Sequence, residues 1–306
     1  MSRKKPSLRR ARSASSAAPS AAGDPPAGDP APRAGGLTSS FGIADLGVAG
    51  DAGAQAHYAD ARYYAHAYGD RRHDVEYYVR KARSSAGPVL EYGVGNGRIA
   101  LHIARAKIEV TGVDLSPSML DDFTARLGRE PPALRARVTL KRGDMRHVRL
   151  GQRFALVIAP FNTVLHLYTR SDLEAFLEGV REHLAPGASF VFDFSIPVPA
   201  DLARDPERAY PAPDLVDFET GDRVRYAERF EYDPLRQLLL VRTEFSKERE
   251  NTTFTVPLTH RQYFPREMEA LLHYNGFEDI LYTADFTDQA ADRNVDSIVV
   301  SCRARP

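Results

Sequence analysis

Only one cysteine, Cys302, occurs in the 306 residues, close to the C-terminal end. An intramolecular disulfide and a cysteine metal cluster are therefore excluded, and no metal site is expected. Scarce thiols fit a reducing compartment, so the expected location is cytoplasmic. No run of about 18 apolar residues exists, and no membrane-spanning helix is expected. Net charge is missing too: 41 Lys and Arg balance 41 Asp and Glu. A protein that coats nucleic acid needs a surplus of cations to neutralise phosphates, so a nucleic-acid partner is not expected. What is present is ordinary for a globular protein: 43% hydrophobic and 27% charged residues. Collagen-like, wholly disordered and coiled-coil architectures are excluded by that composition.

The chain divides into a tail and a body. Residues 1–40 are rich in Ala, Pro, Ser, Gly and Arg, and the first aromatic residue is Phe41. Such a segment cannot bury enough apolar surface to offset its chain entropy, so a disordered basic tail is expected. The body, 41–306, opens with N-terminal helices over 41–87, bearing the tyrosines Tyr58, Tyr63, Tyr64, Tyr68, Tyr77 and Tyr78. Val75, Tyr78, Val79 and Ala82 recur at helical spacing and should face a core. Over 88–197 short apolar strands alternate with amphipathic helices, the pattern of a parallel sheet covered on both faces. Ser116-Pro117 should open one helix as N-cap and first residue, and Ser171-Asp172-Leu173-Glu174 should cap another. Pro186-Gly187 should turn the chain into a strand over 189–194. Residues 198–265 then hold three strand-like stretches with no helix between them, an antiparallel flap. A helix from Arg266 and two last strands complete 266–306.

The chemistry concentrates where the strands of 88–197 end. Glu91-Tyr92-Gly93-Val94-Gly95-Asn96-Gly97-Arg98 follows a strand and opens a helix, a place where backbone can approach a ligand closely. A dinucleotide loop would carry glycine where Arg98 stands, and no Gly-Lys-Ser/Thr follows as a P-loop requires. Asp114 ends the second strand, where a carboxylate can accept both ribose hydroxyls of a nucleoside. Asp144-Met145 follows the third strand, with a carboxylate for an adenine amino group and a backbone N–H for a ring nitrogen. Ala159-Pro160-Phe161-Asn162 ends the fourth. All four loops lie at carboxyl ends of adjacent parallel strands, where open sheets bind ligands.

In these motifs residues 89–197 resemble the class I S-adenosylmethionine-dependent methyltransferases of the small-molecule type. The resemblance rests on the Glu91–Arg98 loop, on Gly112-Val113-Asp114-Leu115-Ser116 with Met119, and on Leu184-Ala185-Pro186-Gly187-Ala188. It implies a Rossmann-like, doubly wound seven-stranded sheet with the last strand antiparallel, the flap inserted after the fifth strand, and S-adenosyl-L-methionine as cofactor. It assigns Glu91 to the methionine ammonium and Gly93, Gly95, Asn96, Gly97 and Arg98 to the loop beneath the methionine. Asp114 takes the ribose, Leu115 and Met119 sandwich the adenine, and Asp144 and Met145 take its edge. Ala159, Pro160 and Phe161 face the sulfonium. Tyr64 or Tyr68 is the expected tyrosine closing over the cofactor.

The expected function is in-line methyl transfer to a small-molecule acceptor, its nucleophile N or O. His166, one helical turn past Asn162, is the candidate general base, needed only if the nucleophile arrives protonated. Asn162, Arg225, His260 and Tyr263 are candidate acceptor contacts. One flap face should meet either the pocket or a second subunit, which leaves a homodimer open. Two other readings stay open: an RNA methyltransferase whose basic tail holds the substrate, and a non-methylating relative such as an aminopropyl transferase.

Overall fold

A computed structural model of the chain describes residues 72–306 other than 213, 217–219, 248–251 and 294, together with Ala54, His57 and Tyr58. The basic tail and the tyrosines Tyr63, Tyr64 and Tyr68 lie outside the described residues. Helix α1 (His73–Ser85) leads into β1 (Val89–Tyr92), α2 (Ala100–Arg105), β2 (Val110–Asp114), α3 (Pro117–Gly128), a single turn α4 (Pro132–Arg135) and β3 (Val138–Arg142). Then come β4 (Phe154–Ala159), a short 3₁₀ turn (Thr163–His166), α5 (Arg170–His183) and β5 (Leu184–Ser195). A turn of helix, α6 (Pro199–Leu202), precedes five strands: β6 (Tyr210–Pro211), β7 (Leu215–Val216), β8 (Arg223–Asp233), β9 (Leu238–Lys247) and β10 (Thr252–Arg261). Helix α7 (Pro265–Tyr274), β11 (Phe277–Ala284) and β12 (Ser297–Ala304) close the chain.

The main sheet has seven strands in the order β11-β12-β5-β4-β1-β2-β3. β1, β2, β3, β4 and β5 are parallel, and β12 runs antiparallel to both of its neighbours, as the resemblance implies. Strand order reverses between β1 and β4, the switch point at which such sheets bind ligands. The apolar strands of this centre are buried on both faces. Tyr78, Ile103 and Phe123 seal one side; Phe176, Leu177, Met268 and Leu272 seal the other. The flap is a second, antiparallel sheet in the order β10-β9-β8-β6, with β7 also on β8. The sequence pattern located its three long strands; the two-residue strands β6 and β7 are too short to carry a period.

Local chemistry fixes the helix starts. Ser116 is extended and its Oγ accepts from Met119 N at 3.4 Å, with Pro117 as the first helical residue. The expected cap at Ser171 is corrected: Thr169 is the N-cap of α5. Its Oγ1 accepts from Asp172 N at 3.1 Å, while Asp172 Oδ2 accepts from Thr169 N at 3.0 Å. Ser171 lies inside the helix because Thr169 already supplies an extended residue with a hydroxyl. Strand β5 also begins earlier than expected. Gly187, with φ of 73°, lets the strand absorb a register shift against β4 rather than break.

Candidate active site

The carboxyl ends of β4, β1, β2 and β3 lie side by side along one edge of the main sheet. Within β1 Glu91 is buried, and its Oε2 finds no hydrogen-bond partner among the described residues. Burial pushes the Glu91 carboxyl well above its usual range; Arg98 opposes this, and Asp114 and Asp74 add to it. A buried carboxyl with one oxygen unpartnered fits the ammonium group of an amino-acid ligand, whose charge would favour its ionised form. Above it the loop turns through three glycines of positive φ. A Cβ on Gly93 would meet Thr163 Oγ1 at 2.5 Å and one on Gly97 would enter the Phe123 ring, whereas one on Gly95 would meet nothing within 4 Å. Packing therefore demands glycine at Gly93 and Gly97, and the backbone lies open at Gly95.

Asp114 accepts from Gly95 N at 2.7 Å and Ser116 N at 2.8 Å, so one carboxylate ties the glycine loop to the start of α3. Burial raises its carboxyl, and these backbone donors pull it back. Its oxygens keep lone pairs for ribose hydroxyls. Leu115 is 46% exposed, an apolar platform beside that carboxylate. Met119 is only 1% exposed and offers a ring almost no surface, so the expected sandwich is one-sided in this structure. Asp144 holds Arg146 through Nη2 at 2.6 Å and the backbone N at 2.9 Å. Burial raises the Asp144 carboxyl, but Arg146 outweighs it and holds it below its usual range. Asn96 ties the loop to α3: its backbone carbonyl accepts from Arg126 Nη1 at 2.7 Å and its side-chain amide donates to the Asp122 carboxyl. These features fit S-adenosylmethionine, with Glu91, Gly95, Asp114, Leu115, Asp144 and Met145 as the residues that would hold it.

The fourth loop is a tight corner. Phe161 and Asn162 both have left-handed φ, 57° and 61°. Asn162 was expected to meet the acceptor, but its amide is spent on β5. Its Oδ1 accepts from Ser195 N at 2.7 Å and its Nδ2 donates to Ser195 Oγ at 3.2 Å. Past the corner stands His166, and the structure brings two distant segments and the neighbouring Tyr168 to it. Tyr58 OH lies 2.9 Å from Nε2, Tyr168 OH lies 3.1 Å from Nδ1, and the His260 ring is 5.1 Å away between centroids. Tyr168 OH donates to Thr259 O at 3.2 Å, so Nδ1 carries the proton and Nε2 accepts from Tyr58. Burial lowers His166 to about 3, His57 to about 4, and His260 well below its usual value. All three imidazoles are neutral at pH 7.

Tyr58 was read from the sequence only as one of the tyrosine cluster; the expectations for Tyr64 and Tyr68 lie outside the described residues. The Tyr58 carbonyl accepts from Ser118 Oγ at 3.0 Å, so Tyr58 bridges the ribose side and the corner. Tyr263 is corrected as an acceptor contact: it is buried, and its OH donates to Leu167 O at 2.5 Å, which props the corner from below. Arg225 does not join the cluster. Cross-strand register aligns His260 with Leu239 and Tyr232, while Arg225 pairs with Ser246 at the other end of the flap. That is roughly 20 Å along the strand, at about 3.3 Å per residue.

The sheet order and the glycine-and-carboxylate loops define a class I S-adenosylmethionine-dependent methyltransferase core. Residues 89–187 match the family model described as a methyltransferase domain. The chain is 32% identical over 126 residues to the dTDP-3-amino-3,4,6-trideoxy-alpha-D-glucopyranose N,N-dimethyltransferase of Streptomyces venezuelae, a match covering 41% of this chain and 50% of that one. It is 33% identical over 120 residues to the dTDP-3-amino-3,6-dideoxy-alpha-D-glucopyranose N,N-dimethyltransferase of Streptomyces fradiae, covering 39% and 44%. The chain thus spans about half the length of the curated relatives it matches. Among solved structures it is similar to the CcbJ methyltransferase from Streptomyces caelestis, with a TM-score of 0.67 and 26% identity over 82% of this chain and 98% of that one. It is also similar to the glycopeptide N-methyltransferase MtfA complexed with S-adenosyl-L-methionine, with a TM-score of 0.52 and 25% identity over 74% and 87%. Among the described residues no helix is long and apolar enough to cross a membrane.

Proposed function

We propose that the protein transfers a methyl group from S-adenosylmethionine to the amine nitrogen of a small-molecule acceptor, an aminosugar being the class its relatives' names supply. When bound, the cofactor supplies an electrophilic methyl group on a sulfonium. This chain's own residues do the rest. Glu91 and the open backbone at Gly95 would take the methionine end, and Asp114 the ribose hydroxyls. Leu115, Asp144 and Met145 would take the adenine. Ala159, Pro160 and Phe161 then wall the place where donor and nucleophile meet, and the Tyr58–His166 pair stands over the incoming nitrogen.

The observation that carries the choice of nitrogen is the His166 environment. A buried imidazole whose pKa is lowered to about 3 takes up a whole proton only at high cost, so it is poorly suited to stripping a hydroxyl. Its Nε2 instead accepts the Tyr58 hydroxyl at 2.9 Å and so fixes the direction of that oxygen's lone pairs. An amine that sheds its proton on entering this water-poor corner needs orientation more than a base. The Tyr58 hydroxyl oxygen, its proton held by His166 Nε2, would accept one N–H and turn the amine lone pair toward the methyl group. The product nitrogen, now cationic, loses its proton on release to water. The test is a panel of small amines and their matched hydroxyl analogues, incubated with methyl-labelled cofactor. Label should enter the amines, aminosugars first. Label confined to hydroxyl analogues, or to RNA, contradicts the proposal.

A further inference from the structure

The corner that faces the acceptor is built from two consecutive non-glycine residues in the left-handed region, Phe161 and Asn162. Each such residue costs on the order of 1–2 kcal/mol, and the conformation persists only where the surroundings impose it. Phe161 is held at two points. Its backbone N donates to Asp193 Oδ1 at 2.8 Å. Its ring lies under the Arg98 guanidinium, 5.2 Å from the centroid.

Neither holder stands alone. Asp193 is a buried carboxylate inside an apolar strand, and Tyr78 OH donates to the same Oδ1 at 2.6 Å. Burial, then the charge of Asp193, raises the Tyr78 hydroxyl well above its usual value, so it stays a donor. Arg98 is held by Asp74 in a two-point ion pair, Nη1 to Oδ1 at 2.8 Å and Nη2 to Oδ2 at 2.5 Å. Asp74 and Tyr78 stand one helical turn apart on the same face of α1. All four side chains are buried.

We propose that α1 is the positioning element of the acceptor corner, Tyr78 acting through Asp193 on the backbone of Phe161 and Asp74 acting through Arg98 on its ring. These are positioning residues, since none of them touches the reacting atoms. Arg98 sits beside both Glu91 and Phe161, so the same helix face braces the cofactor loop and the acceptor corner against each other. The reading of this corner as the acceptor side rests on the function proposed above; the clamp itself does not.

Tyr78→Phe removes one oxygen from the clamp and Asp193→Asn weakens its acceptor. Tyr282→Phe is the control, since it removes a hydroxyl that donates to Pro265 O at 2.9 Å on the edge strand β11. The first readout needs neither cofactor nor acceptor: hydrogen exchange at the Phe161 amide should accelerate about tenfold or more in both clamp variants, with the amides of β4 unchanged. In turnover, kcat should fall about 10- to 100-fold, the range expected of a misplaced reacting geometry, while cofactor Kd stays within about twofold. The control should move neither readout. Wild-type exchange at Phe161 together with wild-type kcat in Tyr78→Phe would overturn the proposal, as would a fall in kcat matched by an equal loss of cofactor binding. If Asp193→Asn fails to fold, Tyr78→Phe decides. If the wild type methylates no amine, the functional reading fails, and the exchange measurement alone decides the clamp.

Discussion

The two halves of the site are built on different plans. The cofactor half is local: Glu91 to Arg98 form one loop, Asp114 ends β2, and Asp144 lies just past the end of β3. The acceptor half is assembled from afar. Tyr58 and His166 are separated by 108 residues, and His260 reaches the same point from the flap. The cofactor half is also held by polar groups that stay open to a ligand, while the acceptor half is lined by neutral rings that bond to one another. A fixed ligand allows a fixed loop, whereas the acceptor half can change with the segments that cover it.

The largest expected effect breaks the acceptor half alone. His166→Phe should lower kcat about 100-fold, the size expected when a reacting geometry is lost, with cofactor Kd unchanged by calorimetry. Within the cofactor loop, Gly93 and Gly95 should separate by cause. Gly93→Ala drives a Cβ into Thr163 and should cost about 2–3 kcal/mol of stability in denaturant melts. Gly95→Ala should cost only about 1 kcal/mol, from its positive φ of 53°, and should weaken cofactor binding instead.

A smaller effect distinguishes the flap from the main sheet. Burial pushes the Glu228 carboxyl up to about 7 from 4.5, with Arg204 opposing it. Between those values the folded state holds a proton that the unfolded chain has released. Stability should therefore fall as pH rises through that window and level off above it. Glu228→Gln should raise stability by about 1–3 kcal/mol at pH 8 and leave it unchanged at pH 4, read from melting temperature against pH. The smallest effect is at Arg225, whose distance along the strand predicts a change in kcat/KM of less than about twofold for Arg225→Ala.

The same contrast explains what the sequence revealed. The glycine loop and its carboxylates were legible because each role is written within a few residues of one strand end. The parallel part of the sheet was legible from apolar strands alternating with amphipathic helices, its seven strands with the last antiparallel from the family resemblance, and the flap from strands with no helix between them. His166 and His260 could be named singly, but no local pattern said that they meet. Arg225 and His260 looked equivalent because register, not composition, decides which end of the flap reaches the site. Asn162 looked available because nothing local announces its two bonds to Ser195. Asp193 left one mark that went unread: a carboxylate inside Val191-Phe192-Asp193-Phe194 must find a buried partner, and that partner is Tyr78. Tyr78 itself was read correctly as core facing, a position that hid its hydroxyl.

The central claim is that the glycine loop and Asp114 hold S-adenosylmethionine. Titration calorimetry of the wild type and of Asp114→Ala with this cofactor, and with NAD beside it, tests it most directly. The wild-type chain should bind one S-adenosylmethionine and no NAD, and binding should weaken by about 1.5–3 kcal/mol in the variant, the range for hydrogen bonds to a charged group. No heat from S-adenosylmethionine, binding of NAD in its place, or equal affinity in the two proteins would contradict it.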